Sequence, residues 1–185
     1  MDSQALDTLL DFMNSHHTDD VHGVFTDDLF ATPELAAGQL IAVGLIDAGA
    51  TVTATEARLL QRVRDAINSL VPGSYVASDV DYDDIAAELP LHLRLDTSAG
   101  RSTLEGTPPG IAGIAARMLG LAHDAMTDGT WQRIKTCGNK DDCRWAFLDR
   151  SKNGSRVWCD MSSCGAAAKA ETYRAKQRAR RAAQA

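Results

Sequence analysis

The stretch CGNKDDCRWAFLDRSKNGSRVWCDMSSCG, residues 137–165, contains all four cysteines of this 185-residue chain: Cys137, Cys143, Cys159 and Cys164. The N-terminus, Met-Asp-Ser-Gln, has no basic region ahead of an apolar one, so we expect no signal peptide and a cytoplasmic protein. Outside the secretory route, paired cysteines favour a metal over disulfides, and four thiolates suit one tetrahedral zinc ion. Because the cysteines fill all four positions, the zinc would be structural rather than catalytic. Unpaired buried cysteines or a redox pair are the alternatives.

The charge of the chain changes sign near residue 130. Residues 1–130 hold 6 Lys and Arg against 20 Asp and Glu, a net charge of −14, whereas residues 131–185 hold 13 against 5, a net charge of +8. We therefore predict two domains, an acidic body over 1–130 and a basic module over 131–185. Such a division favours a module that binds nucleic acid or another polyanion. The alternatives are a basic tail that is only solvated, and a tail that the acidic body masks.

Local signals in the basic module predict a β-hairpin followed by a helix. Trp145 and Phe147 alternate with other residues, which indicates a strand, and the turn residues at 151–154 lead to a returning strand at 156–158. The Ala, Lys, Arg and Gln residues that follow favour a helix with Cys164 in its first turn. The aromatic residues of the two strands fit a small core better than they fit base-stacking platforms.

Hydrophobic periodicity in the acidic body predicts a mainly helical domain with one β-hairpin, and so an α+β fold for the whole chain. The longest nearly apolar stretch, Leu35–Ile46, has twelve residues where a membrane-spanning helix needs about 20, so we expect a buried helix. Alternation in Leu91–Asp96 predicts a half-buried strand. Leu70 and Met126 are expected to face the core. The predicted elements are helices over 4–14, from Thr32-Pro33-Glu34 through Val43 and Ile46, from the Thr53–Glu56 capping box to Pro72-Gly73, and over 80–89, strands over 91–96 and 103–105, and a helix from Pro108-Pro109 to Gly129.

Basic side chains indicate where double-stranded DNA would bind. The terminal helix carries six Lys and Arg. At 3.6 residues per turn, one face suited to a phosphate backbone is shared by Lys169, Tyr173, Lys176 and Arg180. A solvated helix is the alternative. Arg156 is equally compatible with an ion pair to Asp149 across the hairpin. The candidate nucleic-acid contacts are Arg144, Lys152, Arg156, Lys169, Tyr173, Arg174, Lys176, Arg178, Arg180 and Arg181.

The acidic body offers weaker site candidates. Asn14, at the end of the first helix, either lines a ligand pocket or caps the last turn of that helix. The sequence has no nucleophile elbow, phosphate loop or dinucleotide fingerprint, so we expect no enzyme. One loop collects residue types that bind metals, although polar loops are common and nothing orders these residues: His16, His17, Asp19, Asp20 and His22.

Many residues of the cysteine-rich stretch stand at the offsets of a known pattern: Cys137, Cys143, Arg144, Trp145, Ala146, Phe147, Asp149, Ser151, Asn153, Arg156, Trp158, Cys159, Asp160, Met161, Cys164 and Gly165. In this pattern the stretch resembles the CGNR zinc finger, which ends in a basic helix. That finger usually follows a helical ABATE domain. The Phe12-Met13-Asn14 segment, the Thr32-Pro33-Glu34-Leu35 helix start and the helix with Arg64 resemble this domain.

The resemblance implies zinc at the four cysteines, a finger that contacts DNA, and a bacterial transcription regulator linked to stress. The body would then sense a small-molecule effector or mediate dimerisation. One small finger offers few contacts, which favours a homodimer, although no residue pattern specifies one.

The sequence departs from the family pattern at two places. Ala166 and Ala167 replace the Asn and Arg that give the family its name, and the gap between the first two cysteines is one residue longer. Loss of an Arg removes a planar fork for phosphate or guanine, so DNA binding would be weaker, carried by other residues, or lost. The alternatives are a finger that binds another protein, and a small-molecule-binding or enzymatic body with a degenerate finger.

Overall fold

The computed structural model describes residues 1–16, 28–74, 82–98, 100–139 and 143–183. Its helices and two short antiparallel hairpins confirm the predicted α+β class. Turns of 3-10 helix follow α1 at Asn14–His16 and precede β3 at Trp131–Arg133. The elements are α1 Ser3–Met13, α2 Pro33–Ala42, α3 Ala54–Ser69, α4 Tyr82–Glu88, β1 Leu91–Asp96, β2 Arg101–Gly106, α5 Gly110–Thr127, β3 Ile134–Thr136, β4 Ala146–Leu148 and α6 Cys164–Ala182.

Two of the helices begin where their capping residues predict. The Thr32 hydroxyl accepts a hydrogen bond from the Leu35 N–H at 3.3 Å, directly before Pro33 opens α2. At α3 the capping box is complete, because Thr53 Oγ1 accepts from the Glu56 N–H at 3.2 Å and Glu56 Oε2 accepts from the Thr53 N–H at 2.8 Å. Each pair satisfies helix N–H groups that have no partner within the helix.

Helix α2 is shorter than predicted. It ends at Ala42 because Gly44 takes a left-handed conformation at φ +71° and the Leu45 N–H bonds to the Leu40 carbonyl at 2.8 Å. This 6→1 bond closes the helix end and turns the chain away. The prediction of one buried helix through Ile46 is therefore wrong, and only Ala36 and Leu40 of α2 are buried.

Helices α1, α3 and α5 pack against one another to form the core of the body. Full burial of a large apolar side chain stabilises the fold by about 1.5–3 kcal/mol. Leu70 and Met126 do not face this core as predicted; they lie at the ends of α3 and α5 and are 44% and 37% exposed. The large side chains that are almost completely buried include Leu9, Met13, Phe30, Leu40, Leu60, Val63, Ile67 and Met118.

A buried ion pair fastens the segment before α2 to α3. The guanidinium of Arg64 is 3% exposed and bonds to both carboxylate oxygens of Asp28, at 2.5 and 2.9 Å. It also contacts Asp65 at 2.8 Å and lies 5.7 Å from the centre of the Phe30 ring. Burial raises the pKa of the Asp28 carboxyl, but the hydrogen bonds and charge of Arg64 outweigh burial and leave that pKa below its usual value.

The hairpin of the body pairs β1 with β2 in register from Leu91↔Gly106 to Asp96↔Arg101. Strand β2 lies on α5 at very close range, since a Cβ on Gly120 would stand 2.5 Å from the Leu104 carbonyl oxygen. Strand β1 therefore forms the outer edge of the hairpin. Its alternation predicts a half-buried strand, but Leu93 and Leu95 are 60% and 67% exposed because β2, not β1, covers the helix.

The hairpin of the basic module differs from the predicted one. Strand β4 pairs with β3, which precedes the first cysteine, in the register Ile134↔Leu148 to Thr136↔Ala146. The predicted returning strand at 156–158 forms no strand, although the Gly138 N–H bonds to the Val157 carbonyl at 2.9 Å. The alternation at Trp145 and Phe147 does mark a strand, Ala146–Leu148, but its partner is β3 and not the predicted returning strand.

The body and the finger share one hydrophobic core. Trp131, Ile134 and Ala146 lie in the same buried cluster as the residues of α1, α3 and α5. The side-chain amide of Asn14 also bridges the two parts, as described below. The finger is therefore packed onto the body and is not tethered by an open linker.

Within the part of the chain that the structure describes, the helices fall short of the length and apolar character needed to cross a bilayer.

Candidate zinc centre and nucleic-acid interface

The four cysteines converge on one point in the finger. Their Sγ atoms all lie within 4.8 Å of one another, with 3.5 Å from Cys143 to Cys159 and 3.7 Å from Cys159 to Cys164. A disulfide needs about 2.05 Å between sulfurs. A tetrahedral zinc ion with Zn–S bonds of about 2.3 Å places its sulfurs about 3.8 Å apart. The distances therefore fit four separate ligands of one metal ion.

The chain around the cysteines shapes this site with backbone groups. The Cys137 sulfur accepts hydrogen bonds from the N–H groups of Asn139 and Cys159, and the Cys143 sulfur accepts one from Trp145. Gly138 allows the tight approach, since a Cβ there would stand 2.6 Å from a Val157 methyl carbon. Backbone N–H groups that point at sulfur stabilise thiolates, which are the form that binds a metal.

Contacts among the cysteines shift their pKa values in opposite directions. Hydrogen bonds from Cys143 and Cys159 lower the pKa of the Cys137 thiol, whereas the hydrogen bonds to Cys137 raise the pKa of Cys143 and of Cys159. Several thiolates this close together repel one another, because like charges disfavour ionisation. A divalent cation removes that penalty, so the donor set suits one structural zinc ion that is held by Cys137, Cys143, Cys159 and Cys164.

The buried carboxylate of Asp149 organises the loop between the two cysteine pairs. It accepts hydrogen bonds from the ammonium of Lys135 at 2.6 Å and from the backbone N–H groups of Ser151 at 2.9 Å and Arg156 at 2.8 Å. The Lys135 ammonium group and the Ser151 hydroxyl lower the pKa of Asp149 well below its usual value. Sequence reasoning missed Lys135, which also donates to the carbonyls of Gly154 and Arg156.

Arg156 is committed to the finger itself. Its guanidinium donates to the carbonyl of Trp158 at 2.7 Å and to that of Cys159, and it lies 5.1 Å from the centre of the Phe147 ring. The proposed side-chain ion pair with Asp149 is wrong, because Lys135 occupies that position and Arg156 reaches Asp149 only through its backbone N–H. These contacts place the side chain in the scaffold of the finger and not on a DNA-facing surface.

Asn14 joins the body to the finger. Its amide donates to the Ala146 carbonyl at 3.0 Å and accepts from the Ala146 N–H at 2.7 Å, and the residue is buried. It also stands directly after α1 as its C-cap residue. Its backbone N–H bonds to the carbonyls of that helix end, whereas its side chain bonds to Ala146. Both the nitrogen and the oxygen of the Asn14 side-chain amide bond to Ala146. The structure therefore places Asn14 at the junction and not in a ligand pocket.

The turn before α6 is fixed by Asp160. Its carboxylate accepts from the N–H groups of Ser162 and Ser163, both at 2.8 Å, and from their hydroxyls. These bonds lower the pKa of Asp160 to about 2, and the bond from the Ser162 hydroxyl has the largest effect on it. Helix α6 then begins at Cys164, which confirms its predicted position in the first turn. The metal site and the start of α6 are therefore one rigid unit.

Beyond its first turn, α6 projects from the finger with its side chains largely exposed. Cys164 and Gly165 are its only buried residues among those described. Ala166 and Ala167, which replace the family's Asn and Arg, lie exposed at its start. The predicted basic residues are all exposed along its length: Lys169, Arg174, Lys176, Arg178, Arg180 and Arg181.

A shallow cavity of about 310 Å³ runs along one face of α6. Lys169, Tyr173 and Lys176 line it, as their shared helical face predicts, together with Trp158 and Gly165. Trp158 is half-buried beside the cysteines and Tyr173 is 64% exposed. The cavity combines aromatic surface with two cations. Nucleic acids contact such surfaces by stacking bases on the aromatic rings and placing phosphates beside the cations.

The remaining candidates are spread more widely. Arg144 and Lys152 are exposed on the finger, away from the core. Phe147 is buried, and Trp145 packs on the cysteine cluster, in agreement with the core role predicted for them. In the loop that was considered as a second metal site, His16 bonds to the Met13 carbonyl at 2.8 Å, and His17, Asp19, Asp20 and His22 lie outside the described residues.

The fold and the cysteine site define a zinc-finger protein with a helical body. Comparison with known families agrees: residues 133–177 match the model of the CGNR zinc finger, and residues 6–127 match the ABATE model, which is described as "Putative stress-induced transcription regulator". No curated protein matches the sequence. Since the ABATE match covers most of the chain, this protein belongs to the ABATE family, and it carries a C-terminal CGNR zinc finger.

Proposed function

We propose that this protein is a bacterial transcription regulator that acts in the cytoplasm and binds double-stranded DNA through α6 and the adjoining surface of its zinc finger. It performs no catalysis. The zinc ion holds the start of α6 in place, the basic side chains of the helix contact phosphates, and the body responds to a small-molecule effector. Cysteines that serve as metal ligands and not as disulfides suit a reducing compartment.

The observation that carries this proposal is the exposed basic helix on a metal-fixed base. Six cations project from α6 against the single acid Glu171, while the body they are attached to has a net charge of −14. A solvated tail would need no zinc-anchored first turn and no aromatic wall beside its lysines. Lys169 and Lys176 flank the cavity that Trp158 and Tyr173 line, so phosphate contacts and aromatic contacts lie on one face.

The salt dependence of duplex binding tests the proposal. Fluorescence anisotropy with the zinc-loaded full chain and a labelled duplex of mixed sequence would give the dissociation constant at several salt concentrations. Each phosphate contact contributes about −0.9 to the slope of log K against log salt. If Lys169 and Lys176 both contact phosphates, the double change to Ala lowers the magnitude of that slope by about 2.

A matched control removes an equally exposed cation elsewhere. Arg58 lies exposed on α3, so Arg58→Ala should leave the slope and the affinity unchanged. Absence of salt-sensitive duplex binding at low salt would overturn the proposal. In that case zinc-dependent binding of another protein becomes the better assignment, since Ala166 and Ala167 leave the start of α6 without a base-reading side chain.

A cavity of about 740 Å³ in the body is the candidate effector site. It lies between β2, the start of α1 and one face of α5, where Arg117 stands beside the apolar Ile114 and Leu121 and the acid Glu105. Mixed apolar and charged walls suit a small organic molecule with a polar end. Thermal shift of the Arg117→Ala variant, compared with the unchanged protein across a set of small carboxylates and amines, tests this assignment. A compound that stabilises both proteins equally would place its site elsewhere.

A further inference from the structure

Among the described residues, strand β1 pairs only with β2 and carries exposed leucines. Leu95 is 67% exposed and Leu93 60%, and Leu95 is the most exposed large apolar side chain in the described residues. The two are spaced by one residue, so both lie on one face of the strand. The pairing with β2 continues through six consecutive residue pairs, and the strand's other edge lies away from α5. An open strand edge beside exposed apolar side chains pairs readily with another strand.

The charges on the same strand determine which partner fits. Arg94 and Asp96 alternate with the leucines and lie on the opposite face. The Arg94 guanidinium contacts Glu105 of β2 at 3.3 Å but is still 67% exposed, so it can contact a second anion. A cation and an anion two residues apart on an edge strand are complementary to the same pair running in the opposite direction.

We infer that β1 pairs antiparallel with β1 of a second copy of this chain, with a two-fold axis at Leu95. In this register each Arg94 faces the partner's Asp96, the two Leu95 side chains face each other, and Leu93 faces the partner's Thr97. The two hairpins then form one four-stranded sheet. The pairing is isologous, so it closes at a dimer.

Other registers of the β1–β1 pairing either bring basic side chains together or place the leucines of the two copies on opposite faces of the sheet. An axis at Arg94 sets two guanidinium groups against each other, and an axis at Leu93 sets Arg94 against the partner's His92. An axis between two residues places the leucines of the two copies on opposite faces of the sheet. The axis at Leu95 alone gives two Arg–Asp pairs and one continuous leucine stripe. The inference is independent of DNA binding, since it uses no residue of the finger.

Sedimentation velocity of the zinc-loaded full chain tests the dimer. A single strand pair buries less than the roughly 1,200 Å² of a standard interface, so we expect a micromolar dissociation constant and measure from about 5 to 300 µM. Leu95→Lys should leave a monomer over this range. Leu70→Lys is the matched control, because it changes an exposed leucine at the far end of α3, and it should leave the dimer intact.

Charge reversal tests the register itself. Arg94→Asp and Asp96→Arg each create two like-charge contacts, so each variant alone should be monomeric. Mixing the two variants should give a heterodimer, and the double variant Arg94→Asp/Asp96→Arg should dimerise again. This recovery excludes simple damage to the hairpin, because the double variant carries both changes. A monomer at every concentration of the unchanged protein, a dimer that survives Leu95→Lys, or failure of the mixture to associate would each overturn the inference.

Discussion

The two hydrogen bonds between Asn14 and Ala146 make the strength of the body–finger junction measurable. In Asn14→Ala the N–H and carbonyl of Ala146 lose their partners while they remain buried. Each lost bond costs about 1 kcal/mol, and each polar group left buried without a partner adds about 1 kcal/mol or more. Water that enters the gap recovers part of this. We therefore expect a loss of about 3 kcal/mol in the free energy of unfolding.

The same change should weaken zinc binding. Trp145 adjoins Ala146, and it accepts a hydrogen bond from the Cys137 N–H at 2.9 Å and donates its own N–H to the Cys143 sulfur. Movement of β4 therefore shifts two zinc ligands at once. Urea unfolding at buffered zinc and zinc release to a coloured chelator measure the two effects. We expect release about tenfold faster than from the unchanged protein, which corresponds to about half of the lost stability.

Asn68→Ala is the matched control for this prediction. Asn68 is also a buried amide, but its side chain donates to the Met13 carbonyl, inside the body, at 2.8 Å. It should cost about 1–2 kcal/mol and leave zinc release unchanged. If Asn14→Ala costs less than about 1 kcal/mol, or if both variants change zinc release equally, the assignment of Asn14 as the junction is refuted.

Three further predictions concern packing, pH and metal. Gly120→Ala should destabilise the protein by about 2 kcal/mol in urea unfolding, because the new Cβ would meet the Leu104 carbonyl oxygen at 2.5 Å. In the control Gly38→Ala, in α2, no atom lies within 4 Å of the new Cβ, so this change should stabilise the protein by about 0.5–1 kcal/mol. Asp28→Asn should cost about 2 kcal/mol at neutral pH. Because Arg64 lowers the pKa of Asp28, the stabilisation by this ion pair is present above about pH 4 and is lost as pH falls through the folded-state pKa. The difference in unfolding free energy between the two proteins should therefore shrink in acid. A difference that does not change with pH would contradict the ion pair. Chelation of zinc should expose the amides of α6 to hydrogen exchange while those of α3 and α5 stay protected, and equal loss of protection everywhere would show that the metal supports the whole fold.

Local signals predicted the elements of this fold well. Thr32 and Thr53 act on the chain beside them, so capping residues mark where helices begin whatever the tertiary structure. The cysteines were equally readable, since ligand type and clustering are local properties. The end of α2 was missed because the apolar run continued past Gly44, where a left-handed turn ends the helix.

Long-range choices were less readable. The alternation at Trp145 indicates a strand, but the chain offers it a partner on either side, at 134–136 and at 156–158. It pairs with β3 because Ile134 and Ala146 are then buried together in the core of the body. For β1, alternation could not tell which strand of the hairpin would cover α5, and Gly106, Gly113 and Gly120 favoured β2 through close backbone approach. Lys135 gave no signal, because its partner Asp149 is fourteen residues away and becomes its neighbour only in the folded finger.

The rigid joint at the base of α6 has a mechanical consequence. With nineteen residues, α6 is about 28 Å long, and Cys164 at its base is clamped by the metal site and, through β4 and Asn14, by the body. It therefore works as a lever. A tilt of about 5° at Cys164 carries Ala182 through about 2.5 Å, which is close to a full hydrogen-bond length. A small repacking around Asn14 is thus amplified at the tip of the helix, where Arg180 and Arg181 stand.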